Sequence, residues 1–103
     1  MTDTDNYERI VMKPVLVTTQ HRGVFFGNLS EDQDENARTL VLTGCRNAIY
    51  WAGKRGFLGL ASHGPDDGSR IGSAAPRVRL HDVTSVAVCT DQAAAKWEGW
   101  AEE

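Results

Sequence analysis

The sequence predicts a mainly β domain of the α+β class, with a small antiparallel β-meander or barrel-like sheet, a C-terminal helix and a long glycine-rich loop. Runs rich in β-branched and aromatic residues recur at short intervals, which is typical of antiparallel strands. Six glycines between Gly53 and Pro76 indicate the loop. Because 103 residues support one hydrophobic core, we expect a single β-rich domain over residues 10–103 and a flexible polar arm at residues 1–9.

The first half of the chain predicts three consecutive strands. Residues 10–20 form the first, and Pro14 lies at its start or at a sheet edge because proline lacks a backbone donor. A turn at residues 20–23 has the length of a hairpin connection, and residues 23–29 form the second strand. The acidic stretch SEDQDENA is a solvated loop by composition, and residues 38–44 form the third strand. Together these elements predict a β-meander.

The second half of the chain is less regular. Residues 48–51 fit either a strand or a short helical turn, since periodicity cannot decide over so few residues. Beyond the glycine-rich loop, the stretch RVRLHDVTSVAVCT predicts two strands around His81 and Asp82. Thr90 is a suitable N-cap for a last helix. The apolar face of that helix is formed by Ala93, Trp97 and Trp100.

Composition argues against several classes of protein. The formal net charge of -3 disfavours non-specific binding to long nucleic acids, which needs a basic face. No secretion signal and no long apolar run is present, so we expect a cytoplasmic protein without a membrane partner. Cys45 and Cys89 belong to no CxxC or Cys/His spacing, which predicts two reduced thiols, no metal site and no cofactor.

Basic residues collect in the middle of the chain, whereas acidic residues collect near both ends and at residues 31–35. This distribution favours a local site for a small anion over a surface for a polymer. The middle of the chain contains Arg22, Arg46, Lys54, Arg55, Arg70, Arg77 and Arg79.

The stretch HRGVFFGNL is the first candidate for such a site. It sets His21 and Arg22 directly before two adjacent phenylalanines, whose side chains point to opposite faces of a strand. One ring therefore belongs to the core. The other, assigned to Phe25, can grip a flat base while Arg22 holds its phosphate. The alternative, with equal weight, is a solvated turn whose second phenylalanine is covered by the helix.

The stretch CRNAIYW is the second candidate. Arg46 can hold a phosphate with two parallel hydrogen bonds, Asn47 can read a base edge, and Trp51 can stack on a base, as can its neighbour Tyr50. The alternative is that the two aromatic residues anchor the core and Arg46 is solvated.

The glycine-rich loop is the third candidate, with Arg70 as its assigned ligand-binding residue. Closely spaced glycines allow backbone N–H groups to converge on a phosphate, although neither a GxGxxG nor a P-loop pattern is present. A plain flexible loop is the alternative. The loop also contains the polar residues Lys54, Arg55, His63 and Ser69.

Catalysis has weaker support than binding. Three histidines and two cysteines permit a Cys-His nucleophile in principle, but no local signature accompanies them. We therefore expect a binding protein that does not act as an enzyme.

Four blocks, VTTQHRGVFFGNL, CRNAIYW, GFLGLASHGP and LHDVTSVAVCT, followed by a terminal helix with tryptophans, together resemble the Thoeris anti-defence proteins of phages. The resemblance spans about residues 15–97 and lies in the order and character of the blocks. It implies a sponge that sequesters a cyclic ADP-ribose variant made by bacterial TIR-domain enzymes, without degrading it. It also implies a homodimer or higher homo-oligomer, and capture of cyclic oligonucleotides by some members.

Two other functions stay open. A small β-barrel module that binds a protein or RNA partner would need no nucleotide pocket. An enzyme that cleaves the signal would release an altered nucleotide. On the sponge hypothesis, the ligand-binding residues are His21, Arg22, Phe25, Arg46, Asn47, Trp51 and Arg70.

Overall fold

The computed structural model describes residues 11–102 and contains six strands and two helices in that range. The predicted arm at residues 1–9 lies outside the described residues. Helix α1 comprises Gly56–Ser62 and helix α2 comprises Asp91–Gly99. The strands are β1 (Met12–Thr19), β2 (Val24–Ser30), β3 (Leu40–Tyr50), β4 (Arg70–Ile71), β5 (Ala75–Leu80) and β6 (Val83–Val88).

The strands form one antiparallel sheet in which β6, β1, β2 and β3 are successive neighbours, and both β4 and β5 pair with β3. The predicted meander of β1, β2 and β3 is therefore confirmed. Only two residues separate β5 from β6, although these strands flank opposite sides of the sheet. The sheet must coil strongly to allow this short link. It stays open, because β5 and β6 do not pair with each other, so the predicted barrel-like form is approached without closure.

Strand alternation distributes apolar side chains to two faces of the coiled sheet. The inner face buries one cluster, and the outer face buries a second cluster beneath the two helices. Phe25 packs on the inner cluster and Phe26 belongs to the outer one, as the alternation rule predicts. The inner cluster contains Val15, Val17, Leu29, Leu40, Leu42, Cys45 and Leu80. The outer cluster contains Leu16, Val24, Phe26, Leu60, Ala61, Ile71, Cys89, Ala93, Ala94 and Trp97.

A bulge in β3 changes which side chains face outward. Between the pairs Phe26–Arg46 and Asn28–Thr43, β3 contains one more residue than β2. Gly44 in this bulge has a φ of 55°, a left-handed conformation that glycine adopts without strain. As a result Cys45 packs in the inner cluster and Arg46 turns to the helix-covered side.

The segment from Gly53 to Pro76 differs from the predicted loop, because it contains α1 and β4. The sequence FLGLA is helical here and buries Leu60 and Ala61 against the outer cluster. The rest of the segment is held by local bonds. The Ser69 hydroxyl accepts the Ala52 N–H at 2.9 Å, and the Asp66 N–H donates to the Ala52 carbonyl at 2.9 Å. The glycine-rich segment is consequently an ordered connection between β3 and β5.

The predicted C-terminal helix is confirmed, with Thr90 as its N-cap. The Thr90 hydroxyl accepts the Ala93 N–H at 3.1 Å and donates to the Ser62 carbonyl at 2.8 Å, which ties α2 to the end of α1. Trp97 is fully buried and stacks on Phe26, with ring centroids 5.6 Å apart. Its indole N–H donates to the Leu60 carbonyl at 3.0 Å. Trp97 therefore serves the core of its own chain.

The remaining sequence predictions vary in accuracy. The strands at His81 and Asp82 are confirmed as β5 and β6, and residues 48–50 extend β3 as a strand. Both cysteines are free and buried. Within residues 11–102, neither helix has the length and apolar character needed to cross a membrane.

Candidate functional site

The β1–β2 turn presents His21 and Arg22 to solvent. The turn is closed by the Thr19 N–H, which donates to the Gly23 carbonyl at 3.1 Å, and by the Arg22 N–H, which donates to the Thr19 carbonyl at 3.1 Å. Arg22 has a φ of 66°, an uncommon conformation for a residue with a side chain. The two hydrogen bonds hold this conformation and fix the direction from which the Arg22 side chain departs.

Gly23 explains the order of residues in HRGVF. A Cβ atom at Gly23 would lie 2.6 Å from the Phe25 ring and 2.6 Å from the Thr19 hydroxyl. Glycine therefore allows the Phe25 ring and the Thr19 hydroxyl to lie against the turn, and a larger residue would force one of these side chains to move. Phe25 is half-buried and packs on the inner cluster, so it supports the turn from below and offers only part of its ring to a ligand.

The last residues of β3 extend beyond its pairing with β2. Asn47 pairs with Phe25, three residues after Arg22, and this is the final pair between the two strands at this end of the sheet. Asn47 and Tyr50 are exposed, and Tyr50 pairs with Arg70 of β4, which is exposed as well. We call the surface formed by His21, Arg22, Asn47, Tyr50 and Arg70 the turn end. It brings four of the seven predicted site residues, and the neighbouring Tyr50, to one end of the sheet.

Arg46 has a different position from the solvated or ligand-binding one that its sequence context suggests. It is 4% exposed, and its guanidinium donates to the carbonyls of Gly72 at 2.7 Å, Trp97 at 2.8 Å and Trp100 at 2.7 Å. A longer contact reaches the Ile71 carbonyl at 3.5 Å. We call this arrangement the Arg46 clamp. It joins β3 to β4 and to the C-terminal end of α2, where the helix dipole favours a cation.

Trp51 follows β3 directly and is half-buried. Its ring meets Phe57 of α1 edge to face, with centroids 6.1 Å apart, and packs on the outer cluster. The predicted stacking residue is thus engaged mainly within the chain. Tyr50, which is 60% exposed, is the more accessible aromatic ring at this end of the sheet.

The predicted anion nest in the glycine-rich segment has an internal carboxylate in place. The Lys54 N–H donates to the Asp66 carboxylate at 2.6 Å. This bond lowers the pKa of Asp66 below its ordinary value of 3.8, with help from the nearby positive charges of Lys96, Lys54 and Arg55. Those cations therefore already face one negative charge supplied by the chain itself.

Neither thiol has the character of a nucleophile. Burial raises the pKa of Cys45 to about 11 and the pKa of Cys89 to about 12. A thiol with such a pKa is protonated near neutral pH and reacts slowly. Within the described part of the chain, no three His, Cys, Asp or Glu side chains lie close enough together to hold a metal ion.

Two clefts lie away from the turn end. A cleft of about 310 Å³ separates β6 from the β2–β3 loop and is lined by Glu35, Asn36, Ala37, Val83, Thr84, Ser85 and Val86. A groove of about 530 Å³ lies on the outer face and is lined by Met12, Ser30, Asp32, Gln33, Val41, Thr43 and Arg77. Sequence reasoning did not assign either one, because each combines residues that are distant along the chain.

The family model described as a domain of unknown function, DUF6948, matches residues 12–97. The chain belongs to the DUF6948 family. The match covers the sheet, α1 and most of α2, so it includes the turn end, most of the Arg46 clamp and both clefts. No curated protein and no solved structure matches the chain significantly.

Proposed function

We propose that this DUF6948 protein is a phage anti-defence sponge that binds a cyclic ADP-ribose-type signal in the bacterial cytoplasm and holds it without cleaving it. The observation that carries the proposal is the turn end, where exposed Arg22 on the β1–β2 turn lies at the same end of the sheet as Asn47 and as Tyr50, which pairs with Arg70. Two cations, an aromatic ring and an amide match the phosphates, adenine and ribose of such a ligand.

The reassigned residues sharpen this proposal. Arg46 is withdrawn from the ligand-binding set because its guanidinium is occupied by backbone carbonyls. Trp51 and Phe25 become supports, since each packs on one of the two hydrophobic clusters. Direct contact with the ligand then falls to His21, Arg22, Asn47, Tyr50 and Arg70.

Tight capture also calls for burial of the ligand, which favours a homodimer or a higher homo-oligomer. The turn end is an exposed surface, and small molecules bind tightly where most of their surface is covered. Ile49 and Tyr50 at the end of β3 are 50% and 60% exposed, so a second copy has apolar side chains to pack against. We therefore propose that two copies share each ligand.

We also propose that the protein does not react covalently with its ligand, because its two cysteine side chains are buried and protonated. The protonated, buried thiols of Cys45 and Cys89 support binding without covalent catalysis. An intact signal should consequently be recoverable from the complex.

The test is to mix the protein with TIR-produced cyclic ADP-ribose, remove free ligand, denature by heat and identify the released compound by mass spectrometry. We expect the intact signal. An altered nucleotide would indicate an enzyme instead, and no nucleotide would favour a protein- or RNA-binding module. Excess ligand should also raise the unfolding temperature, since ligand at 100 times its Kd adds about 2.7 kcal/mol of stability.

A variant pair locates the site. Arg22→Gln should weaken capture roughly tenfold or more, because it removes a charged hydrogen bond to a phosphate. Lys13→Gln removes the same charge from the opposite end of β1, where Lys13 pairs with Glu35, and should bind as the native protein does. Equal affinity of the two variants would remove Arg22 from the site.

A further inference from the structure

Strands β5 and β6 each have one side that no other strand of residues 11–102 pairs with, and of these two β5 is the edge that combines this with charged side chains. Strand β5 pairs through Leu40–Leu80 and Cys45–Ala75 with β3 on one side, and no described strand pairs with its other side. Such an edge offers a row of backbone N–H and C=O groups to an added strand. Pro76 lacks a backbone donor, so the part of β5 that can accept a complete partner is residues 77–80.

Two arginines lie on one face of this short segment. Arg77 and Arg79 are exposed, whereas Val78 and Leu80 contribute to the inner cluster. The two arginines are therefore spaced about 6.6–6.8 Å apart along the strand, two residues at the usual rise. Within residues 11–102 the ion pairs are Lys13–Glu35 and Arg38–Asp82, so neither arginine of β5 has a carboxylate partner there.

The outer-face groove continues from these arginines. Arg77 forms one wall, Val41 and Met12 supply apolar surface, Thr43 supplies a hydroxyl, and Asp32 supplies a carboxylate. Helices α1 and α2 cover the other half of this face, over Leu16 and Phe26. The half beside β5 is left open to a side chain from an added strand.

We propose that β5 is a docking edge for an extended acidic peptide segment of a partner protein, which adds to the sheet and places two carboxylates on Arg77 and Arg79. Cross-strand pairs of opposite charge favour this arrangement. The carboxylates stand two residues apart in the peptide, so that they match the spacing of the arginines.

The charges select this occupant over others. Two copies of β5 paired edge to edge would bring arginines of both copies onto the same face, and like charges in such positions repel. A single-stranded nucleic acid calls for aromatic rings on which bases stack, and no aromatic residue of the described chain lines the groove beside Arg77, which also contains the carboxylate of Asp32. Strand β6 contains no charged residue, so it does not attract an acidic strand in the same way.

The test uses the full chain labelled with ¹⁵N and an acetylated seven-residue peptide of alternating valine and glutamate. The backbone amide shifts of the protein are followed by NMR as peptide is added. The control peptides replace glutamate by glutamine or carry a methyl group on every backbone nitrogen. The test variant combines Arg77→Gln with Arg79→Gln. Both arginines are exposed, so their replacement should leave the fold unchanged. The control variant is Lys13→Gln.

We expect shifts centred on residues 77–80, a roughly tenfold loss of affinity in the double variant, and native affinity in Lys13→Gln. The affinity of the glutamine peptide for the native protein should be about as low as the affinity of the glutamate peptide for the double variant. The methylated peptide should not bind, because it keeps the charges and loses the backbone donors. Three results would each overturn the proposal. The methylated peptide could bind as well as the glutamate peptide, the shifts could centre on β6, or a thymidine decanucleotide could bind β5 with the affinity of the glutamate peptide.

Discussion

The Arg46 clamp and the turn end place the same functional group in opposite environments. Arg46 lies in the interior and donates to carbonyls beside β4 and at the C-terminal end of α2, whereas Arg22 lies on a tight turn in solvent. A guanidinium that is fully used inside the chain has nothing left for a ligand. The comparison therefore separates an arginine that holds the fold together from one that is available for recognition.

The largest effect should come from breaking the Arg46 clamp. Arg46→Ala leaves the carbonyls of Gly72, Trp97 and Trp100 without this donor, and a buried polar group without a partner costs about 1–3 kcal/mol. We expect a loss of about 3 kcal/mol or more in the free energy of unfolding, measured with urea.

Arg46→Lys is the second variant to measure, because it keeps the prediction testable if Arg46→Ala does not fold. Lysine keeps the charge and one group of donors, so it should lose less stability than alanine. Equal urea midpoints for Arg46→Ala and the native protein would contradict the structural role of the clamp.

A smaller effect is expected at Gly23, which shapes the turn end. Gly23→Ala forces a methyl group against the Phe25 ring and the Thr19 hydroxyl, and such overpacking costs about 1–3 kcal/mol. Thermal unfolding followed by circular dichroism measures the loss. Gly99→Ala is the control, because a Cβ atom there meets nothing within 4 Å. If the two variants melt at the same temperature, the close contact of Phe25 with the turn is wrong.

Arg22→Gln should scarcely change stability. The side chain is exposed, and surface substitutions of this kind stay within about 0.5 kcal/mol. The combination of native urea stability and weakened capture of nucleotide would set Arg22 apart from Arg46. A loss of stability as large as that of Arg46→Lys would place both arginines in the same structural class.

The smallest effect concerns acid. The Lys54 N–H lowers the pKa of Asp66 in the folded protein, so this carboxylate stabilises the fold above its ordinary pKa of 3.8 and the contribution is lost as pH falls below that value. Asp66→Asn should therefore flatten the dependence of unfolding temperature on pH in the acid range and leave its slope unchanged near neutrality. An unchanged acid limb in the variant would contradict the lowered pKa.

The sequence predictions were accurate where the structure depends on residues that are close along the chain, and they failed where it depends on distant residues. Alternation placed Phe25 and Phe26 on opposite faces, and the local cap at Thr90 marked the start of α2. Helix α1 escaped prediction because it has seven residues, begins at a glycine and has no side-chain cap. Short apolar runs without caps have no distinctive pattern.

Arg46 illustrates a different obstacle. In an unbroken strand it would share the face of Leu40 and Leu42, and the bulge at Gly44 moves it to the other side. Its partners belong to residues 71–72 and to the end of α2, which are distant along the chain. Neither the bulge nor the distant carbonyls produce a periodic pattern in the sequence. The sequence therefore suggested that Arg46 binds a phosphate, whereas its side chain lies inside the protein. The remaining predicted ligands are tested by the capture experiment.

The pairing of β6 with β1 and of β5 with β3 has a consequence for the order of folding. Strand β1 is the first strand along the chain, yet Val15 pairs on one side with Val88, which lies near the end of the chain. Likewise Leu40 of β3 pairs with Leu80, which is 40 residues further along. Pairings so distant along the chain require large loops to close before the contacts form, and proteins rich in them refold in milliseconds to seconds. We therefore expect the hairpin of β1 and β2 to form early and both flanking strands to join late, with the unpaired side of β1 exposed in the interval.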